Sequence, residues 1–260
     1  MLATLALLLG LTGLAGQRAI PVDAGGDVDV QLVLAVDMSG SMDIEEARVQ
    51  RSGYVDALRH PDVINAVTGG LTGRVAISYF EWAGTVNEAS RIDWHVIGSA
   101  ADAEALAAKI AAAPVTTRRG TSISSAIAYG ARLIGEAPFR ALRRVIDVSG
   151  DGPNNAGPPV MPARERVVGS GIIINGLAIQ IRPSASVGPL DRYYADCVIG
   201  GPGSFVLPVH KAEDFTIAIR QKLVLEISGL DPREVVIPAQ AAPKTDCMIG
   251  EKLRPSWLDR

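Results

Sequence analysis

Cysteine and histidine are scarce in this chain: 260 residues carry two Cys and three His. The histidines, His60, His95 and His210, are scattered without metal-ligand spacing, which excludes a zinc site of the usual His/Cys kind. Charge of one sign is also missing. The formal net charge is −3 with 20% charged residues, so there is no electrostatic footprint for nucleic acid and no composition for disorder. Past residue 16, no apolar run reaches membrane length without a charge, Gly or Pro interrupting it. No phosphate-cradling Gly-x-x-x-x-Gly-Lys occurs and no Gly-x-Ser-x-Gly elbow, which removes the commonest nucleotide and serine-hydrolase signatures. What remains is 48% hydrophobic residues, enough for one sizeable α/β core with or without a tail.

The informative segment is Asp37-Met38-Ser39-Gly40-Ser41, which follows the strand-like run Val28 to Val36. In an extended chain, residues i, i+2 and i+4 share a side. Asp37, Ser39 and Ser41 can therefore aim three oxygens at one point where the strand ends. Oxygen-only coordination with few charges suits a hard divalent cation, Mg2+ or, equally on this donor set, Mn2+.

An octahedral ion needs more oxygens, and two later segments offer them. Gly120-Thr121-Ser122-Ile123 opens an amphipathic stretch, and Val145 to Val148 is an apolar run leading to Ser149-Gly150-Asp151-Gly152. With these residues in place the chain resembles the von Willebrand factor A domain family, and within it a secreted bacterial branch. That family writes its metal-ion-dependent adhesion site as Asp-x-Ser-x-Ser, then a Thr, then an Asp. The resemblance spans roughly residues 28–228. It implies Ser39, Ser41 and Thr121 as hydroxyl ligands and Asp37 and Asp151 as carboxylates, partly acting through water. It also implies a coordination shell left incomplete, so that an Asp or Glu of a partner protein bonds the ion. One departure stands out: the family's third loop usually reads Thr-Asp-Gly, whereas here Gly150 precedes Asp151. The same loop imitates the start of an EF-hand, but Pro158 occupies the position of the bidentate Glu, which excludes calcium of that type.

Strand and helix patterns alternate along the chain and predict a doubly wound, mostly parallel α/β sheet with helices on both faces. Arg91 to Ile97 alternates in the manner of a half-exposed strand, which the resemblance makes an antiparallel edge. Asp43 with Glu46 reads as a capping box opening a helix that ends near His60-Pro61. Ser99 with Asp102 starts a second helix, and Glu213 to Ser228 forms the last. Tyr54, Tyr79, Phe80 and Phe215 are expected in the core. Ligands of such sheets bind outside the carboxyl ends of the strands, where Asp37, Thr121 and Asp151 all fall.

Leu2 to Gly16 is apolar and uncharged, short for a membrane span and the right length for a signal-peptide core, with an uncleaved anchor as the alternative. The resulting organisation is a signal peptide or anchor at 1–19, a linker at 20–27, the domain at 28–228 and a Pro-rich tail at 229–260. Two cysteines, Cys197 and Cys247, agree with one disulfide in the periplasm or outside the cell, or else with two free thiols. The tail is then either strapped back towards Cys197 or a flexible linker. Functionally, the expectation is a binding module rather than an enzyme. A metal-dependent hydrolase would need a general base, and the only spare carboxylates near the loops are Asp43 and Asp147. A scaffold domain with no ion is the third reading.

Overall fold

The structure, a computed structural model, describes residues 26–40, 44–183, 185–230 and 245–254. Ser41, the Asp43 cap, the apolar segment within 1–19 and most of the linker and tail lie outside the described residues.

The longest apolar run becomes the centre of the molecule. Strand β1 (Asp27–Asp37) pairs in parallel with β2 (Val75–Trp82) on one side and β4 (Arg140–Gly150) on the other. A six-stranded sheet results, in the order β3-β2-β1-β4-β5-β6, completed by β3 (Val86–Ile97), β5 (Ile173–Ile179) and β6 (Val206–Val209). All neighbours are parallel except β2 and β3, so β3 is the antiparallel edge. Residues Arg91 and Asp93 of β3 are exposed while Ile97 is buried, as befits a strand with one wet face.

Both faces of β1 are buried because its side chains alternate between two apolar layers. Val30, Leu32, Leu34 and Val36 pack on the face covered by α1 (Ile44–Arg59), α3 (Ala100–Ala112) and α7 (Phe215–Ser228). Val33 and Ala35 face α4 (Ile123–Glu136) and α5 (Val160–Gly169). Each of these Val or Leu side chains contributes about 1.5–3 kcal/mol by leaving water. Tyr54, Tyr79, Phe80 and Phe215 are all in the core.

Three local features refine the expected pattern. The first helix does end before Pro61, but Pro61 at once opens α2 (Pro61–Thr68), with His60 as its cap accepting from the Asp62 N–H at 3.2 Å. Proline is disfavoured inside a helix yet suited to its first turn, so one residue both stops and starts. Ser99 caps α3 as expected, and Asp102 returns the contact by accepting from Ser99 Oγ at 2.7 Å. The helical turn carrying Cys197 divides into α6 (Leu190–Tyr193) and a π turn, Tyr194–Val198.

Cys197 and Cys247 form a disulfide, with Cα atoms 5.5 Å apart. It brings the described part of the tail, including α8 (Ile249–Leu253), against the loop after β4. There Asn154 Nδ2 donates to Glu251 Oε1 at 2.8 Å, while on the π turn Asp196 Oδ2 accepts from the Thr245 N–H at 3.0 Å. Aperiodic sequence gave no sign of α8, a single short turn held by its contacts rather than by an apolar stripe.

Candidate metal centre

The sheet order reverses at β1, whose neighbours β2 and β4 lead the chain away in opposite directions, and the crevice this opens lies at their carboxyl ends. Three loops meet there. The Met38 N–H donates to the Trp82 carbonyl at 2.7 Å, joining the ends of β1 and β2. The Arg118 to Ser122 segment is sewn onto both: Arg118 N–H to Met38 O at 3.1 Å, Gly40 N–H to Arg118 O at 2.7 Å, and Ser122 N–H to Ala83 O at 2.8 Å. Gly120 makes this course feasible. Its φ is +81°, and a Cβ there would stand 3.1 Å from the Gly84 Cα.

The third loop follows β4 and is clamped to the second by Asn155. Its Oδ1 accepts from the Thr121 N–H, and its own N–H donates to the Thr121 carbonyl, each at 2.8 Å. Asn154 does the same for the start of α4, accepting from the Ser124 N–H at 3.0 Å. Thr121 is thereby buried beside Asp151-Gly152, its Oγ1 within 4.0 Å of where a Gly152 Cβ would lie.

Parity along the strands decides which side chains enter the site. Asp37 continues the Val33–Ala35 face and is fully buried. Its Oδ1 accepts from the Ser39 N–H at 2.7 Å, while Oδ2 has no hydrogen-bond partner among the described residues. Ser39 Oγ donates to Asp151 Oδ1 at 3.4 Å. Burial pushes the Asp37 carboxyl well above the ordinary range, and the negative charge of Asp151 pushes it further; bonds from Ser39 and the Asp151 N–H oppose them. Asp37, Ser39, Thr121 and Asp151 are therefore brought to one place, and Ser41 lies outside the described residues.

This donor set fits a hard divalent cation. Two mutually repelling carboxylates and the Ser39 hydroxyl meet with Thr121 on the adjoining loop, one carboxylate oxygen lacks a hydrogen-bond partner among the described residues, and every donor is oxygen. Among the described residues no three His, Cys, Asp or Glu side chains cluster.

A family profile described as "Protein of unknown function (DUF1194)" matches residues 27–231. The chain belongs to this family. No curated protein matches it in sequence. Solved structures are similar in fold. Proximal thread matrix protein 1 from the mussel byssus, in a form with a zinc-occupied MIDAS motif, aligns with a TM-score of 0.59 and 14% identity over 78% of this chain and 49% of its own. The pilus adhesin SpaC from Lactobacillus rhamnosus GG, in an open conformation, gives 0.56 and 15%, covering 77% of this chain and 30% of the adhesin. A von Willebrand factor type A protein from Catenulispora acidiphila gives 0.51 and 15%, covering 77% and 43%. This DUF1194 chain thus spans about half or less of the length of those proteins, and it has the von Willebrand factor A-like fold.

Other side chains of this DUF1194 domain frame the site without belonging to the motif. Arg51 of α1 is buried against Glu81 at the end of β2, with Nε 3.0 Å from Oε1. It also donates to the carbonyls of Ala113 and Pro114, pinning the chain that leads to Thr121. Tyr79 Oη donates to the same Glu81 oxygen at 2.8 Å. Asp147 belongs to the opposite face: it pairs with Lys222 of α7 and takes no part in the site. Beside Thr121 and Asp151 lies a cleft of about 250 Å³, bordered also by Pro153, Gln180, Arg182 and Leu190. Arg118 and Arg119 are exposed on the same rim. Asn154, Asn155 and Arg51 carried no recognisable signal beyond residue type; only the fold shows what they bind.

Proposed function

We propose that this protein is an exported, metal-dependent protein-interaction module. Asp37, Ser39, Ser41, Thr121 and Asp151 hold Mg2+ or Mn2+, and the ion bonds an Asp or Glu side chain of a partner protein. The observation that carries this reading is the meeting of buried Asp37 and Ser39 with half-buried Asp151, Asp37 Oδ2 having no hydrogen-bond partner among the described residues. A fully buried carboxylate such as Asp37 beside a second negative charge is costly, and a divalent cation offsets that cost. The von Willebrand factor A-like fold, seen in a pilus adhesin and in a protein whose MIDAS motif holds zinc, supports the same reading. When bound, the ion contributes a Lewis-acidic vertex; the chain's own residues orient it and leave its outward side to the partner. Arg118 and Arg119 on the rim attract an acidic surface.

Binding is favoured over hydrolysis because His60, His95 and Asp147, three of the bases a hydrolase could use, are engaged elsewhere. His60 caps α2, His95 contacts the Asp102 carbonyl, and Asp147 is paired with Lys222 on the other face. Export is supported by the apolar segment at 2–16 and by the Cys197–Cys247 disulfide. In this organisation residues 28–228 are the binding domain and 229–260 a tail held in part by that disulfide. Among the described residues no helix is long and apolar enough to cross a membrane.

The test is thermal. Mg2+ in the millimolar range is expected to raise the melting temperature of the wild type, and Ser39→Ala and Asp151→Ala are each expected to abolish the shift. A wild type indifferent to Mg2+ and Mn2+ would leave a scaffold domain. A partner retained equally in Mg2+ and in EDTA would remove the metal bridge while leaving the fold untouched.

A further inference from the structure

Gly150 stands where the resembled family carries Thr, and the structure shows what fills the space. A Cβ on Gly150 would lie 2.5 Å from Tyr194 Oη and 3.0 Å from Asp37 Oδ2. The φ of Gly150 is not positive, so the position requires glycine for room rather than for backbone freedom. A second glycine, Gly176 of β5, makes way for the same ring: its Cβ would lie 2.6 Å from Tyr194 Cδ1. Two glycines on adjacent strands thus carve a slot that carries one phenol hydroxyl to the metal-proposed carboxylate.

Among the described residues that hydroxyl has no structural partner. Tyr194 and Asp37 are both fully buried, and among the described residues neither Tyr194 Oη nor Asp37 Oδ2 makes a hydrogen bond. Leaving a donor and an acceptor unpaired in the interior is unfavourable, as is glycine inside a strand. Phenylalanine would fill the ring's space without either polar cost. The ring is held by a π turn, a local distortion that often marks functional positions, where the Ile199 N–H donates to the Tyr194 carbonyl at 2.9 Å. Cys197 of the same turn is tied to Cys247. Placement, confinement and polarity all point towards Asp37.

We propose that Tyr194 is a positioning residue of the metal centre, its hydroxyl donating towards Asp37 Oδ2 across one water and so orienting that carboxylate beside Ser39. In this chain it supplies from α6 and the turn after it the hydroxyl that a Thr at position 150 would have supplied from the third loop. The proposal rests on the metal-binding reading above. Groups of this kind, which hold a ligand rather than the ion, commonly change metal affinity by about 10–100-fold.

The experiment is a calorimetric titration with Mn2+, alongside the melting temperature of each metal-free protein. For Tyr194→Phe we expect a Kd raised about tenfold or more, with a metal-free melting temperature equal to or above that of the wild type. Gly150→Ser alone is expected to lower the melting temperature, since its side chain meets the phenol oxygen. In the double variant Tyr194→Phe/Gly150→Ser the serine hydroxyl enters the vacated space and recovers most of the lost affinity, which a purely structural role would not produce. Wild-type affinity in Tyr194→Phe, or a loss that the double variant fails to recover, overturns the role of Tyr194 alone. If Tyr194→Phe does not fold, Gly150→Ala displaces the hydroxyl while keeping the ring, and an unchanged Kd there overturns the proposal equally. A wild type that binds neither Mn2+ nor Mg2+ refutes the metal reading and this proposal with it.

Discussion

Asp37 is the side chain whose place in the molecule is hardest to account for without a ligand. It is fully buried, bonded by Ser39 and the Asp151 N–H, and driven towards its neutral form first by burial and then by the charge of Asp151. Asn at this position keeps the shape and an acceptor oxygen while removing the charge. Asp37→Asn is therefore expected to raise the melting temperature of the metal-free protein at neutral pH by a few degrees, and to eliminate the response to Mg2+. Differential scanning fluorimetry with and without the ion reads both effects. A fall in metal-free stability would mean that the charge is satisfied within the protein itself. Asp37, Ser39, Thr121 and Asp151 were legible as a motif because spacing and strand ends expose them in one dimension. Tyr194, Asn155 and Arg51 were not, since each acts across a gap in sequence that no local pattern encodes.

Among the elements, α7 shows how a helix can be fastened to a sheet by charge inside an apolar layer. Lys222 pairs with Asp147 of β4 and with Glu226 one turn along, and Asn175 Nδ2 of β5 donates to Glu226 Oε1 at 3.1 Å. One ammonium faces two buried carboxylates, so one negative charge is in excess. Burial and then the charge of Asp147 raise the pKa of Glu226 to about 7 from its ordinary value of 4.5. The folded state therefore holds a proton on Glu226 that the unfolded chain releases above about pH 4.5. Stability from this group is fully present below that pH and is lost as pH rises through about 7. Glu226→Gln is expected to melt higher than the wild type at pH 8, with the gap closing towards pH 5. A gap that stays constant with pH would show that Glu226 does not titrate in this window. The apolar stripe of α7 at Phe215, Ile219 and Leu223 could be read from periodicity. The ion cluster could not, because Lys222 and Glu226 look like solvated helix residues until Asp147 is seen beneath them.

For the molecule as a whole, the Cys197–Cys247 disulfide closes a separation of 50 residues. On the chain-entropy view such a link contributes up to about 4 kcal/mol by restricting the unfolded chain. Reduction is expected to lower the melting temperature by up to about 10 °C, measured with and without a phosphine reductant. No change on reduction would mean that the bond is not formed in solution. The strap also reaches the site's framework, since Glu251 of α8 bonds Asn154, whose neighbour Asn155 clamps Thr121.

Local chemistry alone determined much of this protein: apolar runs became buried strands, Ser99 capped a helix, and strand ends marked by Asp and Gly became the loops of the crevice. These features depend on steric and hydrogen-bonding preferences that act within about one turn of chain, so sequence order suffices to read them. Tertiary structure decided the rest. It chose which face each buried polar side chain meets, sending Asp37 towards Tyr194 and Asp147 towards Lys222. That choice follows from strand register and crossover packing, which bring together residues far apart in the chain, and a linear pattern contains neither distance.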